Sequence, residues 1–135
     1  MKIFNQILLA LATVWVTSAP VSAAMEDHSA VETGIYLNGG IGIDGRHAMR
    51  AQSKHYNLRL TFAEARSGEY LADVDVTINS LGSKEEPVYY ADCGPLFYIK
   101  LHPGRYHIIA EYRGKKHSLT TVVGAKGAEH VMYWP

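Results

Sequence analysis

Leu101-His102-Pro103-Gly104-Arg105-Tyr106-His107-Ile108-Ile109-Ala110-Glu111-Tyr112 is the stretch on which the fold turns. Its Pro-Gly pair breaks the chain, and Tyr106, Ile108, Ala110 and Tyr112 then set an apolar side chain at every second position. Successive side chains of a strand point to opposite faces, so this pattern describes a ribbon with one dry and one wet side. Immediately downstream, Gly114-Lys115 reads as a two-residue hairpin turn with glycine first, a type II′ signal. That turn would set Tyr112 opposite His117, Ala110 opposite Leu119, Ile108 opposite Thr121 and Tyr106 opposite Val123.

The same period of two extends upstream. Leu58, Leu60 and Phe62 alternate with Arg59, Thr61 and Ala63, and Val74, Val76 and Ile78 alternate with Asp73, Asp75 and Thr77. Val88 to Ala91 and the apolar set Phe97, Ile99 and Leu101 flank a Gly94-Pro95 turn, and Val131 to Trp134 follow a turn at Ala125-Lys126-Gly127. Short strands at this spacing predict a mainly β fold, a seven- to eight-stranded antiparallel β-sandwich of prealbumin-like or immunoglobulin-like type. Before them, five glycines between Gly34 and Gly45 surround Ile35, Tyr36, Leu37, Ile41 and Ile43, which predicts a short strand and a loop. Asp44 to about His55 is helix-compatible, with Asp44 as the expected N-cap of one short N-terminal helix.

The chain has 135 residues, 13 of them basic and 13 acidic. Lys2, the apolar run Ile7 to Val16 and the small-residue site Val21-Ser22-Ala23 have the order of a secretory signal peptide, so residues 1–23 are expected to be cleaved. As a membrane span the run is too short, because a spanning helix needs about 20 mostly apolar residues. The expected domains are therefore the signal peptide at 1–23, a flexible lead-in at 24–33, the glycine-rich strand and helix at 34–56, and the β-sandwich at 57–135. A mature chain of about 112 residues suffices for one domain with its own core. Its near-neutral balance, without long runs of one sign, argues against nucleic acid as a partner and against electrostatic attachment to anionic lipid, and no stable membrane insertion is expected after signal cleavage. Localisation is expected to be periplasmic or secreted. Cys93 is the single cysteine, so no intrachain disulfide can form, and its Asp-Cys-Gly-Pro setting suggests a buried thiol rather than a link to a second chain.

Two segments carry a resemblance. Leu71-Ala72-Asp73-Val74-Asp75-Val76-Thr77-Ile78 resembles the strand motif of the carboxypeptidase regulatory-like domains, and Leu101 to Tyr112 resembles their L-x-P-G-x-Y-x-(apolar)-x-A signature. These are prealbumin-like (transthyretin-like) β-sandwiches of exported bacterial proteins, and the likeness spans about Leu58 to Tyr133. The resemblance implies a sandwich, and the glycine-rich segment and helix that lie outside the family's core pattern suggest a stand-alone subfamily. It implies no active site, because in carboxypeptidases the module accompanies the zinc enzyme domain and hydrolyses nothing itself. The 5-hydroxyisourate hydrolases share a prealbumin-like fold but end in Tyr-Arg-Gly-Ser; here Tyr112-Arg113-Gly114 is internal and the sequence closes Met132-Tyr133-Trp134-Pro135, so that activity does not transfer.

Constellations for chemistry are sparse. The seven histidines show no H-x-H or H-x-x-x-H spacing, and His107 and Glu111, on one strand face, stand about 13 Å apart, too far for one ion. No G-x-S-x-G elbow occurs, and Ser118 and His117 project to opposite sides of their strand. Asp73 and Asp75 share a face about 7 Å apart, a spacing compatible with paired carboxylates but also with a solvated strand. The aromatics offer more: strand phase sends Tyr98 away from Phe97 and Ile99, and Tyr89 away from Tyr90. The sequence thus predicts an exported, non-catalytic module without cofactor or metal, binding or scaffolding an unknown envelope protein or glycan, its oligomeric state left open. The alternative is a carbohydrate-binding module using exposed Tyr89, Tyr98 and Trp134, whose rings would stack on sugar. An undetected hydrolase is the third reading.

Overall fold

The computed structural model describes residues 35–135; the expected signal peptide and lead-in lie outside them. The elements run β1 (Tyr36–Gly39), α1 (Gly42–Gln52), a 3-10 turn (Ser53–His55), β2 (Leu58–Glu64), β3 (Val74–Ser80), β4 (Val88–Cys93), β5 (Leu96–Ile99), β6 (Gly104–Tyr112), β7 (Lys115–Val123) and β8 (Ala128–Trp134). They form two four-stranded sheets, ordered β1-β5-β2-β8 and β4-β3-β6-β7. The fold is the mainly β sandwich that the alternating pattern predicts, with one short helix.

One core lies between the sheets. Leu58, Leu60 and Phe62 of β2 meet Val74, Val76 and Ile78 of β3, Ile108 and Ala110 of β6, and Met132 and Trp134 of β8. Each large aliphatic side chain removed from water in this way contributes about 1.5–3 kcal/mol. A smaller second core forms on the outer face of the first sheet, where α1 lays Met49 over Leu37, Leu96 and Tyr98, with Tyr56 closing it. This cover is why all four residues of β5 are buried, not only the alternate ones.

Three local expectations are corrected. The hairpin between β6 and β7 pairs Tyr112 with Lys115, Ala110 with His117 and Ile108 with Leu119, so the turn is Arg113-Gly114 and the register lies two residues from the expected one. Both turn residues have positive φ, 48° and 77°, the type I′ geometry whose twist matches the flanking strands. A slip of two keeps the same side chains facing inward, so the dry face is preserved. Next, β8 runs parallel to β2, from Leu58 opposite Ala128 to Glu64 opposite Trp134, although the sequence predicts an antiparallel sandwich throughout. The link 124–127 is too short to traverse the sheet, so β8 must start at the end where β7 stops, which is also where β2 starts. Finally, α1 begins at Gly42 with Ile41 as an N-cap lacking any side-chain bond; Asp44 lies inside the first turn, where its charge faces the positive end of the helix.

Candidate functional site

The decisive stretch Leu101 to Tyr106 shapes one end of the sandwich. The Tyr106 hydroxyl donates to the His102 carbonyl at 2.6 Å, a backward Tyr-to-backbone bond of the kind that fixes corners in β-sandwiches. Asn57, just before β2, grips the preceding residue on both sides: its Nδ2 donates to the Leu101 carbonyl at 2.6 Å and its Oδ1 accepts the Leu101 N–H at 2.8 Å. The Ala128 N–H also donates to the Asn57 carbonyl at 2.7 Å. Gly127 passes so close that a Cβ there would lie 2.9 Å from the Asn57 carbonyl oxygen, and its φ is +72°. Three loops that are far apart in sequence are thereby locked together.

Between them opens a cleft of about 730 Å³. Ile35, Tyr56 and Leu101 give it apolar wall, Lys54, Arg59, Lys100 and Lys126 give it cationic edges, and His55 and His102 also line it. Among the described residues, no carboxylate lines it. Among the described residues, Arg59 is the one of these cations in an ion pair, 3.7 Å from Glu129, and the Lys100 ammonium stands 5.7 Å from the centre of the Tyr56 ring. The opposite end carries a second recess of about 570 Å³, where Glu64, Glu69 and Asp73 balance Arg113 and Lys115. Its floor includes Trp134, whose indole N–H donates to the Lys115 carbonyl at 3.0 Å.

The aromatics predicted to bind at the surface separate. Tyr89 is 61% exposed on the outer face of the second sheet. Its hydroxyl is engaged by Asp75, and that hydrogen bond, with some desolvation and the nearby negative charges, raises its pKa above 10.0. Tyr98 and Trp134 are corrections: they are 5% and 2% exposed. Tyr98 does leave the main core, as its phase requires, but α1 covers the face on which it stands. Trp134 faces inward with Met132, stacked edge-on against Phe62 and Tyr112 and 5.0 Å from the His117 ring. On β8 it is Val131 and Tyr133 that face outward.

Other candidate chemistry is dispersed. Asp73 precedes β3 in a left-handed conformation with φ 59°, while Asp75 lies in the strand and accepts the Asp92 N–H at 3.1 Å, so the two carboxylates do not make the strand-face pair their spacing suggests. Ser118 is exposed while His117 turns toward Trp134. His107 and His130 are engaged by Thr120 and Thr121, at 3.2 and 2.8 Å. Among the described residues, no group of three or more His, Cys, Asp or Glu side chains is placed to hold a metal ion, and no helix is long and apolar enough to cross a membrane. Cys93 is fully buried beside β3. The fold and its recesses define a small two-sheet β-sandwich with open clefts at both ends. Comparison with protein-family models and with curated proteins gives no match for the chain.

Proposed function

We propose that this protein is an exported, non-catalytic β-sandwich binding module that holds its ligand or partner at a loop-built end. The observation that carries this reading is the construction of the cationic end: Asn57, Gly127 and Tyr106 fix three distant loops around a cleft, and the polar groups doing so are spent on backbone bonds. Binding sites are concave surfaces placed by a rigid scaffold, with polar groups at the rim and apolar wall inside, and loops on a β-sandwich are a usual place for them. The sequence supports export through its leader-like residues 1–23, and the two motifs of the carboxypeptidase regulatory-like domains support a stand-alone member of that family. Those motifs fall on β3 and β6, adjacent strands at the centre of the second sheet. The test pairs calorimetric titration of envelope components with an assay for turnover of the same components. Saturable binding with the added compound recovered unchanged is the expected result; hydrolysis of any of them would overturn the non-catalytic reading.

A second reading, glycan binding, gains from one observation. Ala63 pairs with Tyr133 on one side and bridges Tyr70 on the other, so two partly exposed tyrosines flank a small residue on the outer face of the first sheet. Two strand spacings set them about 10 Å apart, within the reach of one oligosaccharide. Arg46 lies over the Tyr70 ring at 4.4 Å. A Tyr133→Ala variant that folds normally and loses affinity for a glycan would establish this reading; full retention would dismiss it.

A further inference from the structure

The cationic cleft has a charge pattern that a generic binding site does not need, and from it we infer that the cleft binds a phosphate group carried on a small molecule. This rests on the binding-module reading above. Four of the chain's 13 basic residues line this one recess, in a protein whose formal charge is zero. Lys54, Lys100 and Lys126 are exposed, and among the described residues none has a carboxylate within ion-pairing distance. Concentrating like charges along a concave, partly apolar wall raises the local positive potential, which favours entry of an anion. Ammonium groups on flexible stems suit a phosphate as point charges, and the more buried Arg59, whose Nη1 donates to the Tyr56 carbonyl at 3.0 Å and whose Nε stands 3.7 Å from Glu129, adds positive charge behind them. The apolar stretch of Ile35, Tyr56 and Leu101, in a cleft of about 730 Å³, leaves room for a carrier of sugar size beside the anion. Asn57 has its side-chain amide bound to Leu101 and acts as a positioning residue for the loops.

The experiment is calorimetric titration of the purified protein, in the form the cell accumulates, with glucose 1-phosphate, inorganic pyrophosphate and glucose, joined to sedimentation with vesicles of phosphatidylglycerol or of phosphatidylcholine. Saturable binding of the phosphates without binding of glucose is expected. Lys54→Ala, Lys100→Ala and Lys126→Ala should each weaken it about tenfold, the loss of one charged hydrogen bond. The triple variant should lose it, with an unchanged circular dichroism spectrum and an equal or higher melting temperature. Lys116→Ala, on the outer sheet face beside Glu111, should have no effect. Capture by phosphatidylglycerol vesicles alone, abolished in the triple variant, would locate the phosphate on a lipid headgroup; binding of the soluble compounds would locate it on a free solute. Absence of both, or affinity unchanged in the folded triple variant, overturns the inference. Binding of an uncharged ligand in that case would leave the binding-module reading standing, whereas hydrolysis of glucose 1-phosphate would overturn that reading and keep the anion site.

Discussion

Gly94 shows how tightly single positions are determined. A Cβ there would strike the carbonyl oxygen of Gly39. Its N–H donates to Asn38 Oδ1 at 2.6 Å, and Asn38 Nδ2 reaches the Asp92 carbonyl at 3.4 Å, so β1 is fastened to the turn that joins the two sheets. Gly94→Ala should therefore cost about 1–3 kcal/mol, read as a lower urea midpoint at unchanged slope. Its neighbour Cys93 is fully buried, and desolvation, with the charges of Asp75 and Asp92, pushes the thiol from its ordinary 9.0 up to about 12. A thiol reacts as thiolate. Iodoacetamide at pH 8 should leave native protein unlabelled and modify it in 6 M guanidinium; rapid native labelling would contradict the placement. Asn57 was not legible as special from its neighbours, because both atoms it grips belong to Leu101, 44 positions away.

Along β8, strict alternation separates two neighbouring aromatics with opposite fates. Trp134→Ala should cost about 3–5 kcal/mol by opening a core cavity, while Tyr133→Ala should change stability by about 0.5 kcal/mol or less. Chemical denaturation of both variants checks this. The apolar run Val131 to Trp134 hid that division in the sequence, since a wholly apolar segment has no visible phase. The β6–β7 turn has a similar lesson. Arg113 carries the left-handed conformation at φ 48°, which costs an L-residue about 1–2 kcal/mol, and its guanidinium 5.1 Å from the Tyr112 ring returns part of that. Arg113→Asn should stabilise the hairpin by about 0.5 kcal/mol, seen as a raised melting temperature. Glycine marked the turn but not its type, because Gly114 serves as first residue in one turn and second in the other. For Tyr98 the phase was legible and its exposure was not: the helix that covers it contributes a single fully buried side chain, Met49.

For the whole molecule, the two sheets, the strand count and the dry faces follow from local periodicity, whereas the cationic cleft draws on four separate chain segments and no motif announces it. Alkaline pH acts on the entire fold in one direction. The pKa values of Cys93, Tyr90, Tyr98 and Tyr106 are all raised, chiefly by burial, so the folded state holds protons that the unfolded state releases. Their stabilisation is complete below the unfolded values near 9 and 10 and declines as pH climbs through the folded ones. The contribution of Cys93 alone falls by about 1.4 kcal/mol per pH unit between its ordinary 9.0 and about 12. Urea midpoints at pH 8, 10 and 11 should drop progressively, with a shallower decline in Cys93→Ala; a flat profile would refute the assignment.

The parallel partnership of β2 with β8 has a temporal consequence. A chain made from its N-terminus exposes Leu60 and Phe62 early, yet the strand that flanks them there, with the indole that packs edge-on against Phe62, is synthesised some 70 residues later. Until then β2 has an unpaired border on that side. Met132 and Trp134, among the last side chains made, then complete the first sheet and cover Phe62.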